Sequence, residues 1–144
     1  MTPLLSNSAY TPLPANISYS AAAFSELLEI RSSSDLFHMP TFEQVQQNLS
    51  FLNTGLNQTP GLIVMKLDSN GNHYAGYKHI VVLFNATNSS VTFTDGRLQG
   101  LHLQLHPVQQ QSNDPVTRQS TFNSQQGSAT VPALTTAVFV SGVE

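Results

Sequence analysis

Ile80-Val-Val-Leu-Phe84 is apolar at every position, the pattern of a short central strand covered on both faces. Leu101-His-Leu-Gln-Leu-His106 alternates strictly instead, which predicts a strand with its leucines turned to a core and His102, Gln104 and His106 turned outward. Working outward from these two stretches, short β-branched and aromatic runs separated by turn residues continue from Leu49 to the end of the chain. Repetition at about ten-residue intervals argues for an antiparallel β-sandwich of about eight strands. Strands are expected near residues 49–53, 61–68, 79–86, 91–94, 101–106, 116–122, 129–131 and 135–141. Turns are expected at Asn70-Gly71, Asp95-Gly96 and Gln126-Gly127, where glycine takes positive φ cheaply. The tract Gln109-Gln-Gln-Ser-Asn113 reads as a plain loop.

The first forty or so residues are different in kind. Ser20 can cap a helix running to about Arg31, with Phe24, Leu27 and Leu28 at i, i+3, i+4 as one apolar stripe. A helix this short is marginal alone in water, so the stripe should lie on something. Thr41 and Gln44 have capping-box spacing and start a second short helix ending near Asn48. Met1 to Asn16, broken by Pro3, Pro12 and Pro14, reads as a loop and has no basic-then-apolar signal-peptide pattern.

At 144 residues the chain is long enough to bury a core of its own without staples. Charged residues make up only 9% against a usual level of about a quarter, so hydroxyls and amides supply the polar surface. Five Lys and Arg against eight Asp and Glu leave no basic stripe for phosphates, which argues against nucleic acid. No apolar run approaches the roughly 20 residues that cross a bilayer, which argues against a membrane span. The chain has no cysteine, so disulfides and thiolate metal sites are excluded while oxidising and reducing compartments both remain open.

Candidate chemistry is thin. Glycoside hydrolysis needs two carboxyl groups about 5 to 10 Å apart, one of them with a raised pKa. Here Glu26, Glu29, Asp35, Glu43, Asp68, Asp95 and Asp114 fall at helix flanks, caps and turns. His102 and His106 would stand roughly 13 Å apart along a strand, too far to share a zinc ion. Asp68-Ser-Asn-Gly-Asn72 echoes a calcium loop but lacks the distal glutamate. No Gly-x-Ser-x-Gly elbow, phosphate loop or dinucleotide fingerprint occurs. Sequons at Asn16, Asn48, Asn57, Asn85 and Asn88 are what a chain rich in Asn, Ser and Thr produces by chance. The one sugar-contact candidate is Tyr74 and Tyr77 with His73, because aromatic faces stack on pyranose rings while nearby polar groups bond the hydroxyls.

Several stretches carry a family likeness. They are Leu101-His-Leu-Gln-Leu-His-Pro-Val-Gln109, Asp114-Pro-Val-Thr-Arg118, Thr130-Val-Pro-Ala-Leu-Thr-Thr-Ala-Val-Phe-Val140, Phe51-Leu-Asn-Thr-Gly55, Thr59-Pro-Gly-Leu-Ile-Val-Met65 and Val81-Val-Leu-Phe-Asn-Ala-Thr87. Together they resemble the C-terminal domain of pullulanase-type α-1,6-glucosidases, the starch-debranching enzymes that include limit dextrinases. Glu26-Leu-Leu-Glu-Ile-Arg-Ser-Ser-Ser-Asp-Leu-Phe37 is similar to the segment that ends that family's catalytic barrel. Asp35, His38 and Leu134 depart from the pattern, standing where proline, arginine and arginine are common.

The resemblance implies residues 1–39 as the loop and helix that close the barrel and residues 40–144 as the sandwich. It places the catalytic carboxylates upstream, so neither catalytic residues nor a cofactor are expected in this segment. The expected partner is the barrel of the same parent chain, met through Phe24, Leu27 and Leu28. The rival expectation is a carbohydrate-binding module contacting α-glucan through Tyr74 and Tyr77. An isolated fragment whose apolar patch has lost the barrel is expected to self-associate. The resemblance also fits a secreted or periplasmic parent.

Overall fold

Ile80–Phe84 lies within a strand at the middle of a five-stranded antiparallel sheet. The computed structural model describes residues 7–71, 74 and 76–141. The sheet has the order β1 (Leu49–Phe51), β2 (Leu62–Asp68), β3 (His79–Asn85), β8 (Thr135–Ser141), β5 (Leu103–Leu105), and it faces a three-stranded sheet of β4 (Val91–Thr94), β7 (Ser128–Val131) and β6 (Thr121–Asn123). Val64, Val81, Leu83, Ala137 and Phe139 point inward and pack on Ala129 and Val131 of the smaller sheet. Leu67, Ile80, Val82, Val138 and Val140 point outward and are covered by Ile30, Leu36 and Tyr77. Successive β3 residues from Ile80 to Leu83 are therefore buried on opposite faces, as a strand apolar at every position requires.

Eight strands form where they were expected, with two local differences. The stretch expected as a strand over 116–122 instead turns through a 3-10 helix at Thr117–Gln119 before β6. Asp114 causes this by accepting from Val116 N at 2.9 Å and Thr117 Oγ1 at 2.8 Å, a side-chain-capped turn that competes with extension. The glutamine tract is not a plain loop either. Pro107–Gln110 forms a short helix, α3 in chain order, after α1 (Pro14–Ser32) and α2 (Phe42–Asn48). From it the buried Gln109 side chain accepts from Val138 N at 2.7 Å and donates to Thr136 O at 2.9 Å. Its amide continues the β5 ladder along β8 after the strand itself has turned away, leaving those backbone groups satisfied.

Helix α1 begins at Pro14, not Ser20. Proline at the first helical position is preorganised for the turn and has no N–H to strand there, so Ser20 becomes an interior residue. The helix ends at the expected place, with Arg31 in its last turn and Ser33 N donating to Ile30 O. Thr41 caps α2 as expected, accepting from Gln44 N at 3.3 Å.

The end of α1 meets the sheet through Gly76, whose φ is +95°. A Cβ there would sit 2.4 Å from Ser33 O and 2.9 Å from Ser34 Cβ. Gly71 has φ +80° but open space around it. Gly76→Ala should therefore cost about 2–4 kcal/mol, from backbone strain plus overpacking, and Gly71→Ala only about 1 kcal/mol, from strain alone. Urea unfolding midpoints compare the two; equal losses would show that the contact with Ser33 yields freely.

Candidate functional site

Helical periodicity gives α1 two distinct sides. Ala22, Glu26, Ile30 and Ser33, spaced so as to share one face, are buried or half-buried against the sandwich. Glu26 is tied down there, accepting from Ser112 Oγ at 2.7 Å and Asn113 N at 3.3 Å. The opposite side carries Phe24, Leu27 and Leu28, which are 63%, 50% and 51% exposed. Leu13 and Ile17 extend the same stripe toward the N-terminus and are also exposed. At about 100° per residue, this stripe lies nearly opposite the packed face. The three residues expected as an interface are thus together, apolar and uncovered by the sandwich. Contiguous exposed apolar area of this kind marks a contact surface.

Tyr74 and Tyr77 are placed differently. Tyr77 is only 8% exposed, and its ring packs edge-on against His106 with centroids 5.5 Å apart. Burial pushes its hydroxyl pKa up. Tyr74 is half-buried against the outer cluster, and its hydroxyl accepts from Asn48 Nδ2 at 3.1 Å. Both rings cover core, and the structure does not bring them together as an open stacking platform. His73 lies outside the described residues.

Among the described carboxylates, several are engaged in structural bonds. Asp95 caps the turn Gly96–Leu98, accepting from Arg97 N at 2.8 Å, and meets the Arg97 guanidinium at 2.6 Å. The Arg97 side-chain hydrogen bond holds its pKa below the usual carboxylate range, against a smaller opposing effect of burial. Burial alone would raise the Asp68 carboxyl, but hydrogen bonds from Lys66 and His79 outweigh it and hold the group low. His79 Nδ1 lies 2.5 Å from Asp68 Oδ1, and Lys66 Nζ bonds its other oxygen. A general acid needs the opposite shift. Among the described residues there is no cluster of three or more metal-ligating side chains.

His106 corrects the expectation that it faces outward. It is 2% exposed, because the β5 alternation stops at Leu105 and the chain turns into α3, with His106 as N-cap. Its Nδ1 accepts from Val108 N at 3.2 Å, and Nε2 lies 3.0 Å from Ser33 Oγ. Ser33 Oγ in turn donates to Ile30 O at 2.6 Å. With the Ser33 proton committed to that carbonyl, the ring must be the neutral tautomer that donates from Nε2. His102 and Gln104 do face outward. The sequence signal for His106 was Pro107, a residue favoured at the first position of a helix, which makes its predecessor a cap.

A second apolar area lies on the outer face of the five-stranded sheet. Phe51, Ile63 and Phe84 are 50%, 54% and 39% exposed, and Ile63 and Phe84 are direct cross-strand partners. With Pro60 they line an open groove of about 460 Å³. Periodicity alone did not single them out, since Ile63 and Phe84 fall in runs that are apolar throughout.

The family of pullulanase-type α-1,6-glucosidase C-terminal domains matches residues 1–142. The chloroplastic pullulanase 1 of Arabidopsis thaliana is 37% identical over 145 residues, covering 96% of this chain and 15% of the relative. The pullulanase of Klebsiella pneumoniae is 32% identical over 132 residues, covering 89% of this chain and 12% of the relative. Among solved structures, a maltotriose complex of PulA from Klebsiella pneumoniae superimposes with TM-score 0.81 at 32% identity, over 93% of this chain and 15% of that one. A pullulanase from Bacillus acidopullulyticus shares the fold at TM-score 0.61 and 23% identity. The chain thus spans about 12–15% of the length of the curated relatives it matches. Its two-sheet sandwich and the family match over nearly its whole length place this chain in the pullulanase-type α-1,6-glucosidase C-terminal family.

Proposed function

We propose that this chain is the non-catalytic C-terminal β-sandwich of a pullulanase-like glycoside hydrolase, and that it packs against and stabilises the catalytic barrel of the same parent. Residues 1–39 close the barrel and residues 40–144 form the sandwich. The parent hydrolyses α-1,6-glucosidic linkages in pullulan, starch or limit dextrins with carboxylates outside this segment.

The observation that carries this reading is the uncovered stripe of Phe24, Leu27 and Leu28 on the side of α1 facing away from the sandwich. Being only about half exposed, these side chains gain about 1–2 kcal/mol each on full burial, a share of the roughly 1.5–3 kcal/mol for a fully exposed one. An interface built on them and totalling about 1,000 Å² limits relative domain motion. The alternative, α-glucan binding through Tyr74 and Tyr77, has weaker support, because the buried Tyr77 ring offers no face for stacking.

The test is Phe24→Asp combined with Leu28→Asp. In the 144-residue chain the two substitutions, at about 0.5 kcal/mol each, should move the thermal midpoint by no more than about four degrees; in the intact parent, where they also break the interface, the midpoint should fall clearly further. An unchanged parent would remove the interface. Glucan chain release by the 144-residue chain alone, abolished by neutralising one of its own carboxylates, would remove the non-catalytic reading.

A further inference from the structure

The two outward faces of the sandwich differ in polarity. The three-stranded sheet shows solvent Thr92, Thr94, Thr121, Asn123 and Thr130, with Thr92 and Thr130 hydroxyls paired at 2.8 Å. The outer face of the five-stranded sheet is apolar over β1, β2 and β3, with polar residues only farther across it, at Thr136 on β8 and Gln104 on β5. Its Leu67–Ile80–Val140 end lies under Ile30 and Leu36, and its other end, the Phe51–Ile63–Phe84 patch, is bare. A half-solvated antiparallel strand ordinarily places polar residues at such positions, as β4 and β6 do. Retaining a phenylalanine–isoleucine pair there fits a surface that is covered in the working protein.

Where the rest of the parent lies decides what covers it. The family is a C-terminal one and the chain spans only 12–15% of its relatives, so the catalytic domain of the proposed parent precedes α1. The C-terminal end of that helix packs into the cluster on the outer face of the five-stranded sheet through Ile30, while Glu26 one turn earlier is held at Ser112 and Asn113, so the chain enters the sandwich from its apolar side.

We infer that Phe51, Ile63 and Phe84 form a second docking surface for the catalytic domain of the parent chain, separate from the stripe on α1 and on the same side of the sandwich. This rests on the interface reading above and adds to it. A single helical stripe is one line of contact, about which the sandwich could rotate. A second contact off the helix axis, on a rigid sheet, fixes the angle between the two domains. The patch is the anchor of that contact, with Pro60 at its rim.

Hydroxyl-radical footprinting read by mass spectrometry tests this, comparing the intact parent with the 144-residue chain at a concentration where sedimentation shows a monomer. Labelling scales with accessible area. Moving Phe51 and Phe84 from 50% and 39% exposure into an interface core should cut their labelling about fourfold or more in the parent. Protection of Phe24 in the parent without protection of Phe51 and Phe84 overturns this inference and leaves the helix interface standing. Protection of none of the three overturns both. Protection of Phe51 and Phe84 in the 144-residue chain on adding maltooligosaccharide, with none in the sugar-free parent, makes the patch a sugar site and also overturns the inference.

Discussion

Leu83→Asp should leave the chain without a cooperative thermal transition. Leu83 is fully buried on the inner face of β3, between Val64 on one neighbouring strand and Ala137 on the other. Removing the leucine side chain alone costs about 2–5 kcal/mol. Placing an unpaired carboxylate between two sheets adds several kcal/mol more, since the inner cluster supplies only hydrocarbon. Against a total stability of about 5–15 kcal/mol, the sum removes the folded state. Circular dichroism melting checks this, and two neighbours calibrate it. Leu83→Ala should melt cooperatively at a lower temperature, because it creates a cavity without a charge. Phe84→Asp, one residue on and facing outward, should stay folded. Loss of folding in Phe84→Asp but not in Leu83→Asp would reverse the assignment of faces to β3.

That contrast also shows what was legible in the sequence. Alternation and turn residues located eight strands, since each strand's composition is set by the face it covers. The division of those strands between two sheets was not legible, because partner choice depends on contacts far apart in the chain. Ser20 reads as the start of α1 because a serine can cap, but Pro14 supplies the fixed φ of a first helical residue and loses no hydrogen bond there, so the helix begins about a turn and a half earlier. His106 and Gln109 were misread for one shared reason. Each is a polar side chain that replaces a backbone partner at the point where β5 ends, and polarity alone suggests an outward position. For the candidate surface, helical spacing exposed the Phe24–Leu27–Leu28 stripe directly. The sheet patch stayed hidden, because an all-apolar run does not say which of its residues is left uncovered.

His106 is where these misread details have the largest energetic consequence. Its ring joins three elements: Val108 N of α3 on Nδ1, Ser33 at the end of α1 on Nε2, and the Tyr77 ring edge-on. His106→Ala removes the cap, the bond to Ser33 and a buried ring together, and should cost about 3–5 kcal/mol. Burial depresses the pKa of His106 in the folded chain. The unfolded chain therefore takes up a proton near pH 6.5 that the folded chain refuses, and stability falls as pH drops below that value, levelling off only below the folded pKa. Protonation would also cost the Val108 bond, because a protonated Nδ1 can no longer accept. His106→Asn keeps a capping acceptor and does not titrate. Urea unfolding of both proteins between pH 7 and 5 should give a loss for the native chain that is smaller in the variant by His106's share. Parallel pH dependences would show that the ring accepts a proton in place, and that the junction between α1 and the sandwich does not depend on a neutral imidazole.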